Sequence, residues 1–142
     1  MERPTDRPNR PMTYPQVFEK LRQHFVTDKG QRCFISGSCE YSGHGDPSLG
    51  CFIGILLTEA DAAELDTYRS QLLSIIKNPT RAVPRDILEH YIDLSDAFVV
   101  SFLMAGQLVH DTSSMDNIHE HMSAFFSAWL KVDQVAGDFL SR

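Results

Sequence analysis

Apolar positions recur along most of the chain at the three-to-four-residue spacing of amphipathic helices, and polar or glycine-rich stretches interrupt that spacing at definite points. Tyr14, Val17, Phe18, Leu21 and Phe25 predict a first helix, with Thr13 as N-cap, Pro15 in its first turn and Lys29-Gly30 as its end. Residues 51–57, CFIGILL, are continuously apolar, and periodicity alone cannot assign them. A buried helical turn is expected there, because a helix start lies directly after it. Thr58 with Asp61 three residues on resembles a capping box, and Ala62, Leu65, Tyr68, Leu72, Ile75 and Ile76 keep helical spacing up to Asn78-Pro79.

Pro84 opens another helical pattern, with Ile87, Leu88, Tyr91 and Ile92 on one face. Ser95 is the expected cap of the next, whose Phe98, Val99, Phe102, Leu103, Gly106 and Val109 form a face widened by Ala97, Val100 and Ala105. That width predicts a central helix, broken at Asp111-Thr112-Ser113-Ser114. A last helix is expected from about Met115, with Ile118, Met122, Phe125, Phe126 and Trp129 inward, past Lys131 to Val135 before Gly137.

Two stretches depart from this pattern. Residues 1–12 carry Pro4, Pro8 and Pro11 among polar residues, so they predict a disordered Pro/Arg-containing tail or polyproline II segment. Residues 31–50 hold Gly at 37, 43, 45 and 50, Ser at 36, 38, 42 and 48, and Pro47; they read as a long loop with a short two-stranded ribbon at 33–35 and 39–41. The expected fold is mainly α: a compact single-domain bundle of five or six helices over 13–142, with a long Gly/Ser-rich loop.

Composition supports one globular unit, since 142 residues with 42% apolar and 23% charged can build a core without metals or disulfides. The net charge of -6 repels phosphate backbones and anionic membranes, so nucleic-acid and membrane partners are disfavoured. Arg3, Arg7 and Arg10 against Glu2 and Asp6 give the tail +1 and leave -7 for the remainder. Cys33, Cys39 and Cys51 are an odd set and a poor disulfide framework. With neither a signal-like apolar stretch at the N-terminus nor a run of eighteen apolar residues, the expectation is a soluble protein of a reducing cytoplasm that carries no cofactor.

Candidate chemistry gathers around the cysteines. Cys33, Cys39, His44 and Cys51 are ligand types that zinc accepts, but the tight Cys-x2-4-Cys knuckle of structural zinc sites is absent, and buried thiols with an exposed loop histidine are the simpler alternative. Cys51 beside a helix start could instead be a nucleophile with His110 as base and Asp111 adjacent. Neighbours in sequence are not expected to orient one another, and the apolar residues after Cys51 favour an inert thiol. His119 and His121 sit two apart on a helix and cannot chelate one ion; with His24 and His90 they read as surface histidines. Glu59, Asp61, Glu64 and Asp66 read as a solvated acidic face that complements a helix N-terminus. No nucleotide-binding loop, HExxH, GxSxG or helix-turn-helix pattern occurs.

Cys39-Glu40-Tyr41, a glycine-containing loop, and Cys51-Phe52-Ile53-Gly54-Ile55-Leu56-Leu57 together resemble a C-x-Y…C-A-I-G-x-L-I pattern of a family of small uncharacterised bacterial and phage proteins. Gln107-Leu108-Val109-His110-Asp111 resembles the same family's L-Q-x-[IV]-H-D segment. This chain departs from the pattern at Ser42, Phe52, Thr58 and the reversed Gln107-Leu108. The resemblance implies no activity. It does imply that Cys39, Tyr41, Cys51, Gly54, His110 and Asp111 form one set that meets in space, as a structural latch or as a site. The function expected is that of a non-enzymatic interaction or accessory module with a protein partner or a second copy. The alternatives are a thiol-dependent hydrolase or transferase using Cys51 and His110, and a zinc-stabilised loop protein.

Overall fold

The computed structural model describes residues 6–28, 52–68, 82–113 and 116–140, with residues 68, 82, 83 and 133–140 by their backbone alone. The Gly/Ser-rich loop, its ribbon, and Cys33, Cys39, Tyr41, His44 and Cys51 therefore lie outside the described residues, as do the predicted helix ends at Lys29-Gly30 and Asn78-Pro79. What is described is mainly helical, in five α-helices: α1 (Tyr14–Arg22), α2 (Glu59–Tyr68), α3 (Ala82–Glu89), α4 (Ala97–Thr112) and α5 (Ile118–Leu140). None of these helices is long and apolar enough to cross a membrane.

Helix α1 starts where its sequence says it should. Gln16 reaches back so that its Oε1 accepts the Thr13 N–H at 2.9 Å, and proline stands in the first turn, where no amide is needed. Its last turn widens into a π-turn, Gln23–Thr27, which carries both His24 and Phe25 inward. His24 is thus buried rather than on the surface, edge-on to Phe25 at 4.7 Å. Of the other histidines read as superficial, His90 and His121 are exposed, and His119 is half-buried with Nδ1 3.4 Å from the Phe25 carbonyl.

The apolar run forms a short 3-10 turn, Gly54–Leu56, and every described residue of it, Phe52 to Leu57, is buried. Helix α4 is capped by Asp96, one residue later than expected: its carboxylate accepts from the amides of Phe98 and Val99. Ser95 instead donates to Asp93 through both amide and hydroxyl. Asp93 is held below the usual carboxylate range by those bonds. In α5 the backbone stays helical through Gly137 to Leu140, further than Val135.

Helices α4 and α5 pack together, with α1 and its π-turn against α5 and α1 also against the 3-10 turn. Between them lies an aromatic block centred on Phe52, which stacks on Phe25 at 5.6 Å and on Phe126 at 6.2 Å and meets Phe102 and Phe125 edge-on. The ring of Phe52 sits where a side chain at position 106 would otherwise be. A Cβ built on Gly106 would come within 2.3 Å of Cζ of Phe52. This contact is what position 106 needs glycine for, in the middle of a helix. Helices α2 and α3 pack on each other beside this block, and residues 6–12 run past the end of α3, where the Met12 amide donates to the Tyr91 carbonyl at 2.9 Å.

Candidate functional site

Two polar networks are built into this frame. The first lies at the C-terminal end of α4 and includes the sequence-predicted His110, Asp111 and Gly54. His110 is 0% exposed and lies edge-on to Phe25 at 5.7 Å. Its Nδ1 is 3.0 Å from Oδ1 of Asp111. Adjacent residues therefore do hold one another here, contrary to expectation. A carboxylate can only accept, so in the neutral ring Nδ1 carries the proton. Asp111 Oδ1 also accepts from Nε2 of Gln107 at 2.8 Å, one helical turn earlier.

Gln107 then bridges to the apolar turn, its Oε1 accepting the Ile53 amide at 3.3 Å. Gly54 is buried and opens the 3-10 turn, its carbonyl accepting the Leu57 amide at 3.1 Å. The result is one hydrogen-bonded line from the turn through Gln107 and Asp111 to His110. Just beyond it, the Ser113 hydroxyl donates to the Val109 carbonyl at 2.6 Å and lies 2.9 Å from Nδ1 of His121. The sequence pointed to His110, Asp111 and Gly54; it missed Gln107, although an amide four residues before a carboxylate on one helix face is a readable pair.

The second network has no counterpart among the sequence-predicted sites. Thr58 caps α2 as the capping-box pattern suggests, its hydroxyl accepting the Asp61 amide at 3.1 Å. The return half of the box is supplied from elsewhere: the Thr58 amide donates to the Tyr91 hydroxyl at 3.3 Å. Asp61 is thereby released for other partners. It accepts the Tyr91 hydroxyl and, on both oxygens, the guanidinium of Arg7, with Nε to Oδ2 at 2.7 Å and Nη2 to Oδ1 at 2.8 Å. The remaining guanidinium nitrogen, Nη1, lies 3.2 Å from Nε2 of His90, which must accept because a guanidinium cannot.

Asp61 is 5% exposed, not part of a solvated acidic face. The Arg7 guanidinium, helped by the Tyr91 hydroxyl, holds its carboxyl down at about 2 against the opposing effect of burial. Burial, with the neighbouring Asp61, pushes the Tyr91 phenol up. Comparison with family models, with curated proteins and with solved structures yields no match for this chain.

Proposed function

We propose that the protein is a non-enzymatic interaction module. The observation that supports this reading is the enclosure of His110: at 0% exposure, with Nδ1 on Asp111 and Phe25 edge-on to its ring, the imidazole reads as a structural strut at the end of α4. A general base must reach a proton on its substrate, and a side chain with no open face does not. Outward-facing apolar side chains on the two longest of the described helices, Leu108 at 65%, Leu130 at 49% and Val132 at 46% exposed, give such a module surface to bury against a protein partner or a second copy. A reducing cytoplasm, in which Cys33, Cys39 and Cys51 remain thiols, belongs to the same reading.

A specific observation favours a second reading, a thiol-dependent hydrolase or transferase. Phe52 on Gly106, and the Ile53 amide on Gln107, fasten the residues directly after Cys51 to the turn of α4 that precedes His110. Alkylation with iodoacetamide at neutral pH separates the two. The interaction module predicts that Cys51 reacts no faster than an ordinary thiol, or only on unfolding. Accelerated alkylation that is lost in His110→Gln overturns it in favour of the thiol enzyme. A zinc-stabilised loop, the remaining alternative, requires bound metal and a melting temperature that falls in chelator.

A further inference from the structure

Each of the three nitrogens of the Arg7 guanidinium meets a group that belongs to the folded body of the protein. Two of its nitrogens fork onto both oxygens of Asp61 and the third meets His90. The receiving side is rigid: Thr58, Asp61 and Tyr91 are each more than nine-tenths buried, and they are fixed to one another across the start of α2 and the end of α3. The arriving side is of another kind. Arg7 comes from a segment, residues 6–12, that has neither helix nor strand, and its own side chain is 45% exposed.

That asymmetry is that of a receptor and a tethered ligand. Removing the guanidinium would leave the carboxylate, among the described residues, with a phenol and a threonine hydroxyl as its side-chain partners and with a negative charge that another cation could answer. The demand is also geometric. Two parallel acceptors on one carboxylate suit the planar fork of a guanidinium, whereas an ammonium is a single point of charge. The Met12 amide on the Tyr91 carbonyl adds a backbone contact that any extended segment could make.

We propose that Thr58, Asp61 and Tyr91, with His90 at the rim, form a guanidinium-recognition site that Arg7 occupies in cis and that an arginine side chain of another polypeptide segment occupies when residues 6–12 lift away. The N-terminal segment then acts as a built-in competitor. Its tether raises the local concentration of Arg7, so an outside arginine has to displace it. This inference is independent of the role of His110 and of the exposed apolar side chains.

The test uses full-length Arg7→Ala and Nα-acetylarginine amide as the probe, followed by calorimetry and by the shift in melting temperature. Saturable binding in the millimolar range is expected, weaker by roughly tenfold or more in the wild-type chain, where Arg7 competes. It should be much weaker for Nα-acetyllysine amide and lost in Arg7→Ala/Asp61→Asn. Equal binding of the lysine amide, binding that survives Asp61→Asn, or absence of saturable binding overturns the proposal. Should Arg7→Ala melt without a cooperative transition, recovery of one on adding the arginine amide counts for the site and failure to recover it counts against. The source of the arginine is tested by sedimentation of the wild-type chain: an Arg7-dependent dimer at high concentration identifies the segment of a second copy, and a monomer rules that source out.

Discussion

The aromatic block around Phe52 and the polar cluster around Asp61 lie side by side in one small protein and are held together by opposite means. In the first, four phenylalanines surround a fifth whose ring fills the space left by a missing Cβ. In the second, one carboxylate gathers a guanidinium, a phenol and the cap of a helix. Dispersion and burial are strong in sum and insensitive to salt or pH; charge-assisted bonds are directional, titratable and replaceable by a chemically similar partner. The block is therefore suited to setting the fold, and the cluster to being switched.

The block gives the largest effects. Phe52→Ala should cost about 4 kcal/mol, since it leaves a cavity that surrounding rings cannot fill, and urea unfolding would measure it. Gly106→Ala is the sharper probe. Helix propensity alone would favour alanine by about 1 kcal/mol, but the added methyl overlaps a fully buried ring that lies among four others. A net loss of about 2 kcal/mol is expected. In a Phe52→Leu background the same substitution should cost much less, and a cycle in which the two effects simply add would show that the contact is not what position 106 requires.

Tyr91→Phe comes next and belongs to the cluster. The fold keeps its ring, but the Thr58 amide loses its acceptor and Asp61 loses a donor, both in buried surroundings. A loss of about 2 kcal/mol in urea unfolding is expected. A loss as large as that for Phe52→Ala would mean that Tyr91 matters as core volume rather than as a hydroxyl.

The block was legible in the sequence and the cluster was not, for a physical reason. Helical periodicity registers which residues share a face, and it picks out Phe18, Phe25, Phe102, Phe125 and Phe126 as well as the buried turn that carries Phe52. It would place His24 inside too, three residues after Leu21 and seven after Val17, but the polarity of the side chain weighs the other way. Asp61 is legible only as far as its local partner Thr58. Its pairing with Arg7 spans 54 residues and has no periodic signature. The cap of α4 falls one position later than its pattern suggests, since Ser95 and Asp96 are both good N-cap residues and Ser95 is drawn off by Asp93. His110 and Asp111 are visible as candidates, but their mutual bond depends on a side-chain torsion that spacing does not encode.

Acid should act on the two regions differently. The folded-state carboxyl of Asp61 is held at about 2, below its ordinary value of 3.8. A depressed value means that this group stabilises the fold fully above pH about 4 and ceases to as pH falls toward 2. The amount at stake is about 2 kcal/mol. Urea midpoints for the wild-type chain should drop over that window, and the drop should shrink in Asp61→Asn, which is already without the charge. Phe52→Leu should leave the size of the drop as it is.

The smallest effect tests whether the cluster is a coupled unit at all. Arg7 is half in water, so its pairing with Asp61 is worth about 1 kcal/mol despite the forked geometry. Arg7→Ala should cost that much in the wild-type background and close to nothing in Asp61→Asn, because with the carboxylate neutralised there is no charge left to answer. Arg7→Lys should recover only part of the loss, since an ammonium keeps the charge and gives up the fork. Raising salt should weaken the Arg7 contribution while leaving the Gly106→Ala penalty unchanged. If Arg7→Ala costs the same with and without the Asp61 charge, the guanidinium is stabilised by something other than the carboxylate, and the contrast between a fixed apolar block and an exchangeable polar cluster loses its basis.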